Sequence, residues 1–298
     1  MPAPVSPWWR AANVAGTLLC LVAIAFLVQR GYTLGDSLGD GLARIGARAL
    51  LLACACYAAA AALLGLAWVT LVRVASGAQP EATPLFASHL RSQLAKYLPG
   101  NVFHLAYRHV TARRAGVGHA PLALALGMES ALLIASAAVF SMGVVTDARV
   151  AAVAPWAHGF AWVGPLLPLA AALAASIHAR HVGGAAAMPR VLRAVLFVLA
   201  IDFSFFVLAT AALRSLGAGA AGLPIASWCG WLALAWLLGY VMPGAPAGVG
   251  VRETVLVIGL GPALGEADAL VLALAYRFVT IVVDALSAGV GFLLRERT

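Results

Sequence analysis

Apolar residues dominate long windows at 13–28, 49–72, 122–140 and 270–294, each near the roughly 20 residues a helix needs to cross a bilayer. Two stretches break the pattern. In the first, residues 83–116, Leu85, Leu90, Leu94 and Leu98 recur at helical spacing, Pro99-Gly100 interrupt the helix, and an apolar arm beginning at Val102 ends in Arg113-Arg114. In the second, an apolar arm over 225–242 meets Pro243-Gly244, and a returning arm starts at Gly248. Both read as re-entrant helical hairpins.

The two breaks lie 144 residues apart and share local detail: Arg108 follows Pro99 by nine residues and Arg252 follows Pro243 by nine. Tyr97 and Tyr240 precede the respective breaks. Spans are expected at 122–145, 153–177 and 191–213, with a last one over 270–294. The predicted fold is therefore an all-α integral membrane protein, with about six full transmembrane helices plus two re-entrant hairpins in an inverted-topology repeat. It forms one membrane domain over residues 1–298, the first repeat covering 1–148 and the second 149–298. Such repeats place a transport site where broken helices meet near the midplane.

Charge sets the orientation. With the amino terminus cytoplasmic, the inside segments carry +1 at Arg10, +5 from Arg73 through Arg114, +3 at Arg180, Arg190 and Arg193, and +1 over 295–297. Outside, the stretch from Arg30 to Arg48 carries +1, Asp147 with Arg149 zero, Arg214 +1, and Glu266 with Asp268 −2. That asymmetry obeys the positive-inside rule and puts both termini in the cytoplasm. The first apolar run, opening with Trp8 and Trp9 at the interface, reads as a retained helix without a cleavable signal.

Composition agrees: 63% of residues are apolar and 10% charged, far from a soluble domain. The net charge of +8 is what a membrane protein with basic inner loops carries, so nucleic-acid binding is not expected. Eighteen arginines against one lysine, with abundant Ala and Gly, suit a GC-rich bacterial genome and hence a bacterial cytoplasmic (inner) membrane. Cys20, Cys54, Cys56 and Cys229 lie in apolar runs, as small core residues. His104 and His109, five apart, miss the spacing that puts two metal ligands on one helix face. No cofactor, metal site or enzymatic residue set is expected.

Ionisable groups at membrane depth cost at least about 2.5–3.5 kcal/mol unless paired or hydrated, which makes them candidates for function. Lys96 and Arg108 flank the first break; Arg252 and Glu253 follow the second. Arg108 and Arg252 read as substrate or gating groups in preference to structural ion pairs, whereas for Lys96 a snorkelling role stands level. Glu129, Asp202, Arg277 and Asp284 fall within spans; Glu129 or Asp284 is expected to pair with a hairpin arginine, and Asp202 has no visible partner. Helix amino termini after the breaks, with Gly248 and Gly250, would offer N–H groups to an anion.

The strings QLAKYLPGNVFHLAYR, PGAPAGVGVRETVL and LALAYRFVTIVVDALSAGVGFLL resemble the membrane domain of the lysylphosphatidylglycerol synthase/flippase family. The resemblance spans nearly the whole chain, without the family's aminoacyl-transferase domain. It implies a lipid flippase acting on an aminoacyl-phospholipid, a lipid-linked glycan or a related envelope lipid. Roles carry over onto Pro99, Gly100, Arg108, Glu129, Gly250, Arg252, Glu253 and Arg277. Leu133 stands where the family often has an aspartate. With Lys96, Tyr97, Pro243, Gly244 and Asp284, these residues form the expected translocation site. Two other readings remain open: an ion- or proton-coupled small-solute transporter, and a non-transporting membrane partner of an envelope-lipid biosynthetic enzyme.

Overall fold

The computed structural model describes residues 7–98, 102–145, 188–217 and 222–294, with Val150, Leu166 and Ala170. The expected fourth span, the first break at Pro99-Gly100, and residues 295–298 lie outside the described residues, as do the side chains of Trp8, Trp9 and Cys20.

Every regular element among the described residues is a helix. In order they are α1 (Pro7–Ala43), α2 (Ala47–Ser76), α3 (Ala82–Ser92), a 3₁₀ segment (Leu94–Tyr97) and α4 (Phe103–Arg114). Then come α5 (His119–Val145), α6 (Met188–Leu216), α7 (Ile225–Val241), a second 3₁₀ segment (Pro246–Gly248), α8 (Val251–Leu264) and α9 (Glu266–Leu293). Helices α2, α5, α6 and α9, and the segment Pro246–Leu264, are long and apolar enough to cross a membrane, and α7 is apolar but shorter. The chain is a multi-pass membrane protein.

Two boundaries differ from expectation. The charged stretch 30–48, expected as a connection, is helical through Ala43, so Arg30, Asp36 and Asp40 extend α1 beyond its apolar run. The reason lies across the fold: Arg30 pairs with Glu266 at 3.0 Å and Arg44 with Asp268 at 2.7 Å, tying the end of α1 to the start of α9. Those two carboxylates also occupy the first turn of α9, where the helix dipole favours them. The first arm of the first hairpin also departs from a single helix, ending at Ser92 and tightening into the 3₁₀ turn.

Helix ends sort onto two faces. At 28 residues, α9 is about 42 Å long, so its ends lie on opposite sides. The start of α9 meets the α1–α2 corner through Arg44, and Ser215 near the end of α6 reaches the carbonyl of Ala49 at the start of α2. At its other end, Arg91 of α3 donates to the carbonyls of Gly291 and Leu294 at 2.7 and 3.2 Å.

The helices pack in exchanged partnerships. Helix α2 lies along α6, α3 packs on α9, and α7 packs on α5. The two 3₁₀ segments touch. Where α5 and α7 cross, Gly143 and Gly230 meet backbone to backbone, and a Cβ on either would strike the other helix. Gly259 of α8 similarly receives the Trp231 ring.

Candidate functional site

Around the touching 3₁₀ segments the structure gathers charges from five elements. Glu129 stands ten residues into α5 and Asp284 nine from the end of α9; at 1.5 Å per residue these are about 15 and 14 Å deep, half of a hydrocarbon core about 30 Å thick. Both are buried. Charge at that depth requires partners, and the fold supplies most of them.

Arg108 of α4 donates to Glu129 at 2.8 Å, with both side chains less than a tenth exposed. Its guanidinium lies 4.8 Å from the centroid of the Trp68 ring and 3.3 Å from His89 Nδ1. Gln93 stands 3.1 Å from the other ring nitrogen of His89 and accepts from Lys96 Nζ at 3.1 Å. Lys96 in turn pairs with Asp284 at 2.6 Å, and the Tyr97 hydroxyl donates to the same carboxylate oxygen at 2.7 Å. A continuous polar chain thus runs from α5 to α9 through the first hairpin.

In the second hairpin, Gly250 has φ 81°, a conformation suited to glycine, and forms the N-cap of α8. Its N–H donates to the Glu253 carboxylate at 2.7 Å. The other oxygen of Glu253 faces Arg277 of α9 at 3.2 Å, and Arg277 also donates to the carbonyl of Ala247 at 3.1 Å. The amino terminus of α8, expected to offer N–H groups to an anion, is therefore capped by the protein's own carboxylate. Pro243 and Gly244 sit just ahead, Gly244 buried with φ 82°.

Arg252 is the exception. Its side chain is held in a notch between Gly239 and Gly248, where a Cβ on either glycine would meet Nε at 2.7 Å. The guanidinium lies over the Trp236 ring, 5.8 Å from its centroid. Nε is buried without a partner, and among the described residues Arg252 makes no hydrogen bond and no ion pair.

It lines a cavity of about 90 Å³ between the two hairpins, room for several waters. Lys96, His104, Arg108 and Glu129 share that wall. A second, aromatic-walled space of about 30 Å³ continues past Tyr57, Trp236 and Tyr276 to Glu253 and Arg277.

The thirteen expected site residues thus divide. Lys96, Arg108, Glu129 and Arg252 face the larger cavity and Glu253 and Arg277 the smaller. Tyr97 and Asp284 support from behind, Pro243, Gly244 and Gly250 shape the second break, and Pro99 and Gly100 lie outside the described residues. Of the two carboxylates expected to meet a hairpin arginine, Glu129 does so with Arg108, and Asp284 takes the hairpin lysine, Lys96. Leu133 also lines the larger cavity.

Sequence reasoning passed over His89, Gln93, Trp68 and Trp236. The only available signal was helical spacing: His89, Gln93 and Lys96 recur at four and three residues along one face of the first arm. Among the described residues no group of His, Cys, Asp and Glu side chains is arranged to hold a metal ion.

In chemical terms, three of the four cations around the two cavities are paired with carboxylates, and the fourth is a guanidinium over an aromatic ring, beside a cavity with space for water and without an ion pair among the described residues. That arrangement suits a compact anion, which would supply the missing charge. No protein-family model matches the chain and no curated protein matches it.

Proposed function

We propose that this protein moves an anionic, headgroup-bearing envelope lipid between the leaflets of a bacterial inner membrane, its acyl chains staying in lipid while the headgroup passes between the hairpins. The observation that carries this reading is Arg252, a cation with no partner among the described residues, set over Trp236 and facing the cavity where the two broken segments meet. A buried charge of this kind is costly unless something pairs with it. A phosphate-bearing headgroup is the guest whose charge and size suit it.

The exchanged packing supports an inverted repeat as the frame: α3 lies on α9 just as α7 lies on α5, with α2 against α6 between them. In this frame both hairpins are re-entrant, they open to opposite faces, and both termini are cytoplasmic. The likeness to the lysylphosphatidylglycerol synthase/flippase membrane domain points to the same class of cargo.

The test is reconstitution into phosphatidylcholine vesicles containing labelled phosphatidylglycerol. Wild-type protein is expected to speed movement of the label between leaflets. Arg252→Gln should slow it by about tenfold or more, the worth of one charged hydrogen bond. No acceleration by folded wild-type protein overturns the reading. For topology, single cysteines at Ser76 and Ala267 should label from opposite sides; labelling of both from one side would remove the inverted frame.

A further inference from the structure

Most polar side chains on the wall of the larger cavity are already engaged by the protein. Arg108 holds Glu129, Lys96 holds Asp284, His89 and Gln93 meet each other, and Tyr240 shares a hydrogen bond with Ser130. Three are not. The Tyr57 hydroxyl of α2 and the His104 ring of α4 line the same wall as Arg252 of α8, and like Arg252 they make no hydrogen bond with a described residue. Nδ1 of His104 and Nε of Arg252 are both buried without a partner.

The fold brings these groups together from three helices. Tyr57 stands ten residues into α2, about 15 Å along it, near the middle of a hydrocarbon core about 30 Å thick. It is buried, its ring edge-on to Tyr276 at 6.1 Å. His104 precedes Arg108 by four residues, so both lie on one face of α4, and both line the cavity. Arg252 arrives from the other hairpin. Tyr57, Trp236 and Arg252 also line the smaller space, so they stand where the two cavities adjoin.

We infer that Tyr57, His104 and Arg252 form a three-donor cradle for one phosphate group. A phenol donates through its O–H, a neutral imidazole through one N–H and a guanidinium through several in its plane. Buried donors without an acceptor are costly, and phosphate oxygens can accept from all three. Charge points the same way. Glu129 is the one carboxylate among the residues lining this cavity, and Arg108 offsets it, as Asp284 offsets Lys96. With the imidazoles neutral, the excess on the wall is the single positive charge of Arg252.

The identity of the guest rests on the lipid-transport reading, whereas the cradle concerns phosphate from either source, a lipid headgroup or the free ion. Titration calorimetry on purified protein in detergent tests it. Short-chain dihexanoyl phosphatidylglycerol should bind the wild type. Tyr57→Phe, which removes only the hydroxyl, and His104→Ala should each weaken binding about tenfold or more, the worth of one hydrogen bond to a charged group. His104→Asn, which returns an N–H donor, should stay within about threefold of wild type.

Wild-type affinity in Tyr57→Phe or in His104→Ala overturns the cradle. So does a loss in His104→Asn as large as that in His104→Ala, which would make the ring a packing group. Thermal unfolding checks that each variant is folded, and the near-isosteric Tyr57→Phe keeps the test decisive if His104→Ala is not. Inorganic phosphate alone is the second arm: if it binds as tightly as the lipid, or in its place, the cradle stands and the lipid reading falls. Binding of the lipid without the free ion supports both. If lipid binds as expected but no label moves in vesicles, the cradle stands and transport falls. If neither probe binds folded wild-type protein, the cradle is overturned, and label movement in vesicles still decides transport.

Discussion

Arg108 and Arg252 stand at the same distance after their Pro-Gly breaks, yet the fold treats them oppositely. Around the first hairpin each cation has a carboxylate, Glu129 for Arg108 and Asp284 for Lys96, both supplied by long helices. Around the second, the nearest acid in sequence, Glu253, turns to its own helix terminus and to Arg277, leaving Arg252 over the Trp236 ring without an ion pair among the described residues. Equivalent sequence positions can therefore carry different chemistry: one arm is neutralised by carboxylates of the protein, and the other keeps a guanidinium on the wall of a cavity. The difference arises because a carboxylate at the third position of a helix reaches back to the N-cap N–H, out of the way of its neighbour Arg252.

Removing a carboxylate from the closed side should have the largest effect on stability. Asp284→Ala strands Lys96 and Tyr97 at mid-depth, and an orphaned buried charge is worth about 3–5 kcal/mol. Thermal unfolding in detergent should show a large fall in midpoint, or loss of folded protein. An unchanged midpoint would mean that the pair is not desolvated.

The frame that holds the two sides together is next. Gly143→Ala places a methyl against the backbone of α7, and overpacking of this kind costs about 1–3 kcal/mol. The same unfolding measurement checks it, and Gly289→Ala, with open space around the added methyl, is the control expected to change little.

On the open side the stability effect should be smaller although the functional one is large. Arg252→Gln breaks no ion pair and loses mainly its contact with Trp236, about 1 kcal/mol, so folded yield should be near wild type while lipid movement drops. A collapse as severe as that of Asp284→Ala would place Arg252 among the structural cations and erase the contrast. The smallest effect belongs to the rim: Arg30→Gln removes a half-exposed pair, worth about 0.2–1 kcal/mol, and its unfolding midpoint should barely move.

Much of this was legible in the residue pattern. Apolar runs located α2, α5, α6 and α9 to within a few residues because crossing lipid demands length and apolarity together. The Pro-Gly at 243 marked a real break, since proline removes a helix hydrogen bond and glycine accepts left-handed backbone. Loop charges implied that Arg44 and Asp268 share a face, and they touch. The extension of α1 through Ala43 was not legible, because the polar tail is held by α9, far along the chain.

Partner choice was equally hidden. Lys96 and Asp284 are 188 residues apart, and nothing local to either names the other. His89 and Gln93 gain meaning only once α3 packs beside α4 and α9.

The sequence by itself determined a helical membrane protein, the break at Pro243-Gly244, and most of the ionisable groups that are buried, because each follows from the local cost of exposing polar groups to lipid. Tertiary structure decided which of those charges are cancelled. Neutralisation depends on distances of a few ångströms between helices remote in sequence, and for that reason Arg108 is paired with Glu129 whereas Arg252 has no ion pair among the described residues.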